Sequence, residues 1–282
     1  MAKCTIFNMD CEDAMSRIKD GEVDFILTSP PYNTSRTNKD TGATLSNRPS
    51  NSGFYPYLRY DVAIDGMTNE QYVDWQTRIF NGFNRILKKN GCVAYNISYG
   101  AENTECYIMT IHGILKNTPF TLADRIVWKK PTALPNNVSP NRLTRICEDV
   151  FIFCRRGEEN TFNCNKRIVS QRQNSQRMYE NLFNFIEAPN NDGSCNLNKA
   201  TFSSSFAQQM IELYCPKIGG GCVYDPFMGT GTTGYAACAI GVDCYGSEIS
   251  AAQCEYAKER IDDMFNQCEI ISDAQGETQC AS

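Results

Sequence analysis

The chain has 282 residues, with 27 Lys plus Arg, 32 Asp plus Glu, a formal net charge of −5, one histidine and 15 cysteines. Its hydrophobic fraction of 41% is too high for a disordered chain, and no run approaches the roughly 18 apolar residues of a membrane span. With a single histidine and no CxxC spacing, the sequence argues against a zinc site, and no metal is expected.

The amino-terminal part predicts strand, helix, strand, in the segments CTIF, EDAMSRIK and VDFILTS. The last is a continuous apolar run, which fits a strand covered on both faces in a parallel sheet. Residues 34–66 are rich in Ser, Thr, Asn and Gly and predict a mobile surface loop. A helix is predicted over 68–89 with Thr68 as its cap, followed by Gly91 and the strand CVAYNIS.

In the second half, LADRIVW and DVFIFC predict two strands, whereas residues 155–197 show no clear period. FAQQMIELYC predicts a helix, and GGGCVYDPFMGTGTTGYAACAIG predicts a turn, a strand, a glycine loop and a helix. The strand VDCYGSE and a final amphipathic helix capped by Ser250 complete the pattern. This order predicts an α/β fold with a mostly parallel sheet.

The charge is unevenly distributed along the chain. Residues 116–177 carry 12 basic and 5 acidic side chains, so this stretch is +7 and the remainder is −12. A basic middle on an acidic body is typical of a polyanion contact confined to one face. An ordinary solvated surface explains the same counts.

A glycine loop lies between a predicted strand and a predicted helix, in DPFMGTGTTG. Gly229, Gly231 and Gly234 fit the pattern G-x-G-x-x-G, and Glu248 ends the next predicted strand. Glycines let a ligand approach the backbone, and a carboxylate at that strand end can accept hydrogen bonds from ribose hydroxyls. The pattern predicts a ligand containing a nucleoside and leaves a dinucleotide and S-adenosylmethionine open; a glycine turn without a ligand is the alternative.

A second motif, TSPPYN, ends the buried strand VDFILTS. Pro30 and Pro31 lack N–H donors, so their carbonyls are acceptors, with the Ser29 hydroxyl and the Tyr32 ring beside them. Such a set suits an exocyclic amino group on a flat heteroaromatic ring. Taken alone the tripeptide PPY also occurs in ordinary turns, so the motif needs the glycine loop as a second observation.

TSPPYN and DPFMGTGTT together resemble the paired signatures of DNA amino-methyltransferases, which methylate N4 of cytosine or N6 of adenine. The resemblance covers nearly the whole chain, with the catalytic motif before the cofactor loop, as in that family's permuted β arrangement. It implies a Rossmann-like S-adenosylmethionine-dependent methyltransferase fold, a mostly parallel sheet with helices on both faces and a small irregular insert. The expected parts are a catalytic part (1–130), a basic insert as DNA-recognition region (131–197), a cofactor part (198–268) and a flexible tail (269–282).

The resemblance also implies roles for individual residues. The implied catalytic residues are Ser29, Pro30, Pro31 and Tyr32. The implied cofactor-binding residues are Asp10, Thr201, Phe202, Asp225, Phe227, Gly229, Gly231 and Glu248. The expected DNA contacts are Lys129, Lys130, Arg142, Arg145, Arg155, Arg156 and Arg172. Many relatives have histidine where Asn198 stands and proline where Ser203 stands, which weakens individual cofactor assignments.

The implied activity is site-specific methyl transfer from S-adenosylmethionine to a flipped base in double-stranded DNA. Ser29 favours N4 of cytosine, with N6 of adenine as the alternative; an NAD- or FAD-binding oxidoreductase is the remoter one. The insert is small for reading a duplex alone, so a homodimer is a further expectation, and a cognate restriction endonuclease is compatible with the resemblance. With no export signal or membrane span, a cytoplasmic location in a prokaryotic or phage-infected cell is expected.

Overall fold

The structure is a computed structural model that describes residues 2–33, 67–97, 103–133, 135, 140–193, 197–198, 201–216 and 220–272. The predicted surface loop 34–66 lies outside the described residues. The helices are α1 (Cys11–Arg17), α2 (Asn69–Ile86), α3 (Thr104–Asn117), α4 (Ser204–Tyr214), α5 (Thr232–Ala239) and α6 (Ala251–Phe265). The strands are β1 (Cys4–Asn8), β2 (Val23–Thr28), β3 (Leu87–Ile97), β4 (Phe120–Lys129), β5 (Cys147–Arg155), β6 (Ile168–Gln171), β7 (Arg177–Tyr179), β8 (Phe185–Glu187), β9 (Cys222–Asp225), β10 (Asp243–Ser247) and β11 (Cys268–Ser272).

Nine of these strands form one sheet in the order β11-β1-β10-β9-β2-β3-β5-β4-β8. Every neighbouring pair is parallel except the two that involve β5, so β5 alone runs against the others. β6 and β7 form a separate antiparallel hairpin. The predicted α/β class with a mostly parallel sheet is confirmed.

Helices cover both faces of the sheet, as predicted. On one face α1, α2 and α3 bury side chains such as Met15, Phe80 and Ile114 against the strands. On the other face α4, α5 and α6 bury apolar side chains such as Met210 against the strands. Ten of the thirteen described cysteines are buried, most of them within these two clusters, where they pack as small apolar side chains.

The helix predicted over 68–89 is α2, which begins after Thr68 and ends earlier, at Ile86. Thr68 forms the predicted cap: its hydroxyl accepts from Gln71 N, and the Gln71 side chain accepts from Thr68 N. The helix ends early because Leu87 is already extended, with φ −70° and ψ 133°, and begins β3. α3 is not among the predicted elements.

Strands within the expected insert and the expected tail belong to the main sheet. In the insert 131–197, β5 pairs with β3 and β4, and β8 pairs with β4. The apolar sequence DVFIFC supplies the buried core of β5 and requires cover on both faces. In the tail 269–282, β11 pairs with β1 up to Ser272; residues 273–282 lie outside the described part.

No helix in the described ranges is long and apolar enough to span a bilayer. Within the same ranges, no three His, Cys, Asp or Glu side chains converge in a way that could hold a metal ion.

Candidate active site

The site lies where four neighbouring parallel strands end. β1, β10, β9 and β2 are adjacent in the sheet and all point the same way, so the segments that follow them meet at one edge. Ligands of open α/β sheets bind at this carboxyl edge. TSPPYN follows β2 and the glycine loop follows β9, which brings together two motifs that lie almost 200 residues apart in the chain.

One cavity at this edge is lined by both motifs. All of the predicted catalytic and cofactor-binding residues except Gly231 contribute to its wall: Ser29, Pro30, Pro31, Tyr32, Asp10, Thr201, Phe202, Asp225, Phe227, Gly229 and Glu248. The cavity is therefore one site, and its lining contains both hydrogen-bonding groups and aromatic rings.

The loop Ser29–Pro30–Pro31–Tyr32 is held by side-chain hydrogen bonds. The Ser29 hydroxyl lies 3.1 Å from the Tyr32 hydroxyl, which closes the loop on itself. The Pro31 carbonyl accepts a hydrogen bond from the buried Tyr72 hydroxyl, 3.0 Å away on α2. Because the prolines have no N–H of their own, these contacts replace the main-chain hydrogen bonds that would otherwise order a turn.

The glycines of the second loop have different tasks. Gly229 has φ +54°, and a Cβ there would stand 3.0 Å from Asn198 Nδ2, so the position keeps the cavity wall open. Gly231 has φ +80° and is the cap residue of α5, outside the cavity lining. A Cβ on Gly231 would come within 2.6 Å of the Ala257 Cβ, so this glycine allows α5 to pack closely on α6.

Two acidic residues stand at the ends of neighbouring strands. Glu248 follows β10, and its two carboxylate oxygens accept hydrogen bonds from Gly229 N at 3.0 Å and Ser250 N at 2.9 Å. Asp10 follows β1 and caps α1 by accepting from Glu12 N at 2.8 Å. Both carboxylates are thus fixed by backbone N–H groups, that of Glu248 partly by the glycine loop, and both residues line the cavity.

Further residues line the cavity without having been assigned from the sequence: Met9, Cys11, Trp75, Asn198, Pro226, Met228, Thr232, Ser247, Ile249, Ser250 and Gln253. Most of them are next to a predicted site residue in the chain, so their position just after a predicted strand is the sequence feature that could have identified them. Trp75 and Gln253 arrive instead from α2 and α6. Asn198 donates to Gln253 Oε1 at 3.1 Å, which ties the segment before α4 to α6.

Asp225 connects the two motifs. It is 2% exposed, and its carboxylate accepts from the Thr28 hydroxyl at 3.0 Å, from Phe227 N at 3.0 Å and from the Thr233 hydroxyl. Thr28 ends β2 directly before Ser29, and Phe227 belongs to the segment DPFMGTGTTG. The side chain therefore sets the spacing of TSPPYN and the glycine loop.

The ionisation of Asp225 makes stability depend on pH. Burial raises its pKa to about 6, although the hydrogen bonds from Thr233, Phe227 N and Thr28 oppose the shift. Because the folded state holds the proton more tightly than the unfolded state, the stabilising contribution is present at pH values below about 4 and is lost as pH rises through about 6. We expect the free energy of unfolding of the wild type, relative to Asp225→Asn, to fall by about 2 kcal/mol between pH 4 and pH 7. Urea denaturation at both pH values measures this, and a pH-independent difference would contradict it.

The predicted DNA contacts divide between the two edges of the sheet. Lys130 directly follows β4, and Arg142 and Arg145 shortly precede β5, so these three residues lie at the carboxyl edge with the cavity. Lys129 and Lys130 are paired there with acidic partners, Glu187 and Glu148 respectively.

β5 ends at the opposite edge, and this placement does not suit Arg155 and Arg156 for the predicted DNA contact. The Arg155 guanidinium donates to the carbonyls of Asn84, Leu87 and Lys88, and Arg156 donates to the Leu115 carbonyl, so both close the carboxyl ends of helices. Arg172 is exposed in the turn between β6 and β7, outside the main sheet.

The comparisons with known proteins agree with this geometry. A protein-family model described as a DNA methylase, of the N6/N4 type, matches residues 23–259 of this chain. The chain belongs to this family. It is accordingly an S-adenosylmethionine-dependent DNA methyltransferase of the amino-methylating group, and the expectation of that family is confirmed. The remoter oxidoreductase alternative has no support in these matches.

Two curated members of the methyltransferase group illustrate the similarity. The orphan methyltransferase M.BamHII of Bacillus amyloliquefaciens is 24% identical over 276 residues, covering 86% of this chain and 90% of that protein. The type II methyltransferase M.HpaI of Haemophilus parainfluenzae is 25% identical over 272 residues, covering 92% and 74%. The match thus extends across both motifs and the region between them.

Solved methyltransferases share the fold. The cytosine-N4-specific PvuII DNA methyltransferase superposes with a TM-score of 0.63 at 15% identity, covering 96% of this chain and 95% of that one. The complex of M1.HpyAVI with S-adenosylmethionine gives a TM-score of 0.55 at 18% identity, covering 92% and 99%. At these identities the likeness concerns the fold.

Proposed function

We propose that this DNA methyltransferase acts at a specific sequence and transfers the methyl group to the exocyclic amine of a flipped base, with N4 of cytosine as the favoured target. The observation that carries the proposal is the single cavity lined by both TSPPYN and the glycine loop. A base must leave the duplex to enter such a cavity, at an unstacking cost of a few kcal/mol.

The loop Ser29–Pro30–Pro31–Tyr32, which we call the catalytic loop, is suited to hold an amine. In this proposal the Ser29 hydroxyl and the Pro30 carbonyl accept the two N–H bonds of the target, while the Tyr32 ring stacks on the base. Pro31 holds the backbone, and its own carbonyl is already engaged by Tyr72. Two acceptors on the N–H bonds draw the nitrogen lone pair out of conjugation with the ring and turn it towards the methyl donor.

The other half of the cavity fits S-adenosylmethionine, which supplies a methyl group on a positively charged sulfur when bound. In this proposal Glu248 accepts hydrogen bonds from the ribose hydroxyls and Asp10 accepts from the adenine amine, with Phe227 alongside; all three line the cavity. Gly229 leaves room where a Cβ would meet Asn198. Thr201 and Phe202 form the wall expected at the methionine end.

No strong base is required of the protein. The amine can lose its extra proton after the new bond has formed, when the nitrogen is cationic and acidic. Residues of the wall therefore need only accept hydrogen bonds, which fits a cavity whose lining contains no histidine. Asp225, with its three donors, keeps the two loops at a fixed distance.

The DNA contact is proposed for the carboxyl edge, where the flipped base must enter. Arg142 and Arg145 lie at this edge, shortly before β5, with the strongly exposed Leu143 between them. Phosphate contacts from such side chains position a duplex without reading its sequence. The expected homodimer is proposed to use the β8 edge of the main sheet, where Phe183 and Phe185 are exposed apolar side chains.

The target base can be determined directly. Unmethylated DNA is incubated with the purified protein and S-adenosylmethionine, hydrolysed to nucleosides and analysed by mass spectrometry. We expect N4-methyldeoxycytidine, because Ser29 occupies the position at which aspartate favours adenine in this family. N6-methyldeoxyadenosine would support the adenine alternative, and the absence of any methylated amine would contradict the proposed function.

A further inference from the structure

Tyr72 lies directly behind the catalytic loop, on the first turns of α2. It is 2% exposed, and its hydroxyl donates to the Pro31 carbonyl at 3.0 Å. The start of α2 is itself fixed by the reciprocal hydrogen bonds between Thr68 and Gln71. The donor is thus held by a capped helix rather than by a side chain on a free loop.

This hydrogen bond decides which groups of the loop stay available. Pro30 and Pro31 donate no hydrogen bonds, so the loop depends on outside donors to fix its peptide planes. The Pro31 carbonyl is occupied by Tyr72, so in the proposed function the target amine donates to the Pro30 carbonyl and to the Ser29 hydroxyl, which can still accept while it contacts Tyr32. The Pro31 peptide also sets the direction of the next residue, Tyr32, whose hydroxyl lies 3.1 Å from Ser29.

The same helix touches the cofactor loop through Trp75. The ring of Tyr72 meets the Trp75 ring edge-on, with centroids 5.7 Å apart at 68°. Trp75 in turn meets the Phe227 ring edge-on, at 5.5 Å and 63°. Edge-to-face pairs at these distances are attractive and directional. Trp75 is 7% exposed and lines the cavity, so α2 contacts both loops of the site.

We propose that Tyr72 is a positioning residue for methyl transfer: its hydroxyl fixes the Pro31 carbonyl and so the orientation of the catalytic loop, while its ring supports the cofactor loop through Trp75. The inference rests on the proposed role of Ser29, Pro30 and Tyr32. The hydroxyl of Tyr72 acts on the catalytic loop and its ring acts on the cofactor loop, so the two effects can be tested separately.

The variant Tyr72→Phe removes the hydroxyl and keeps the ring. We expect kcat to fall about tenfold, since an unpaired buried carbonyl lets the loop leave its competent orientation. The dissociation constant for S-adenosylhomocysteine should stay within about twofold, because the contacts of Trp75 persist. Trp75 and Trp128 are the two tryptophans of the chain, and only Trp75 lines the cavity, so its fluorescence reports binding of this probe.

A matched control is Tyr245→Phe, the same chemical change at a hydroxyl that donates to Glu22 at 2.8 Å beside the opposite edge of the sheet. Its kcat should equal that of the wild type. Trp75→Leu should show the reverse pattern. Its dissociation constant for S-adenosylhomocysteine, measured by calorimetry, should rise by a larger factor than its kcat falls. The two variants of α2 thus carry opposite expectations.

A Tyr72→Phe enzyme with wild-type kcat would overturn the inference. The inference would also be overturned if kcat and cofactor affinity fell by the same factor and the melting temperature fell as well, because that pattern describes a general loss of structure. Both results require that the wild-type enzyme methylates DNA in the same assay. A wild type that methylates no amine in DNA would instead contradict the proposed function, so the two failures are distinguishable.

Discussion

Replacing Tyr32 by alanine should lower kcat for DNA methylation by roughly 100-fold, the upper range for loss of one aromatic stacking contact with a base. The ring is the only part of TSPPYN that can stack on a flat target, and its hydroxyl also lies 3.1 Å from that of Ser29. Glu248, Asp10 and Gly229 are untouched, so the dissociation constant for S-adenosylhomocysteine should change by less than about threefold.

Ser29→Ala tests the acceptor in the same assay. It removes one hydrogen-bond acceptor and leaves the Pro30 carbonyl, so we expect a fall in kcat of about tenfold, again with little effect on cofactor binding. A suitable control is Tyr256→Ala, which removes a tyrosine that is 37% exposed on α6. An equal loss of turnover and cofactor affinity in Tyr32→Ala or Ser29→Ala would contradict the roles assigned to the catalytic loop.

The two motifs could be predicted from the sequence because each is a contiguous stretch at the end of a strand. Residue types such as the two prolines and the glycines have local conformational consequences that do not depend on the rest of the fold. The topology then needs only parallel strands to bring the motifs together. The structure adds a second role for Asp225, whose carboxylate joins the two motifs by accepting hydrogen bonds from the Thr28 hydroxyl and from Phe227 N.

Tyr72 and Trp75 could not be identified in this way. Both belong to the predicted helix 68–89, and helical periodicity separates core-facing from solvent-facing positions only. A side chain that faces a cavity within the core has the same pattern as one that faces packed neighbours. Gly231 shows the opposite problem: it fits a ligand-binding pattern, yet its close neighbour is Ala257 on α6.

The sequence could not show at which edge of the sheet each basic residue of the segment 116–177 lies. Its net charge of +7 is a property of composition, whereas the edge at which each residue lies depends on the direction of β5. A run with strand character can be recognised, but an antiparallel neighbour inside a parallel sheet requires the pairing itself. Arg142 and Arg155 therefore look alike in the sequence and lie at opposite edges of the fold.

This division predicts different effects for two groups of arginines. The double variant Arg142→Ala/Arg145→Ala should weaken DNA binding about tenfold at fixed salt, and the slope of log K against log salt should fall by about 2. Both residues lie shortly before β5, at the edge that bears the cavity. Fluorescence anisotropy with a labelled duplex over a series of salt concentrations measures both quantities.

Arg155→Ala should leave the salt slope unchanged and destabilise the fold instead. Its guanidinium donates to Asn84 Oδ1 at 2.8 Å and to the carbonyls of Asn84, Leu87 and Lys88 at 2.8, 2.6 and 2.9 Å. These carbonyls lie where α2 passes into β3, and losing their charged donor should cost about 3 kcal/mol in the free energy of unfolding. A reduced salt slope in Arg155→Ala at full stability would place the DNA at the opposite edge of the sheet, away from the cavity, and would contradict the proposed entry of the flipped base.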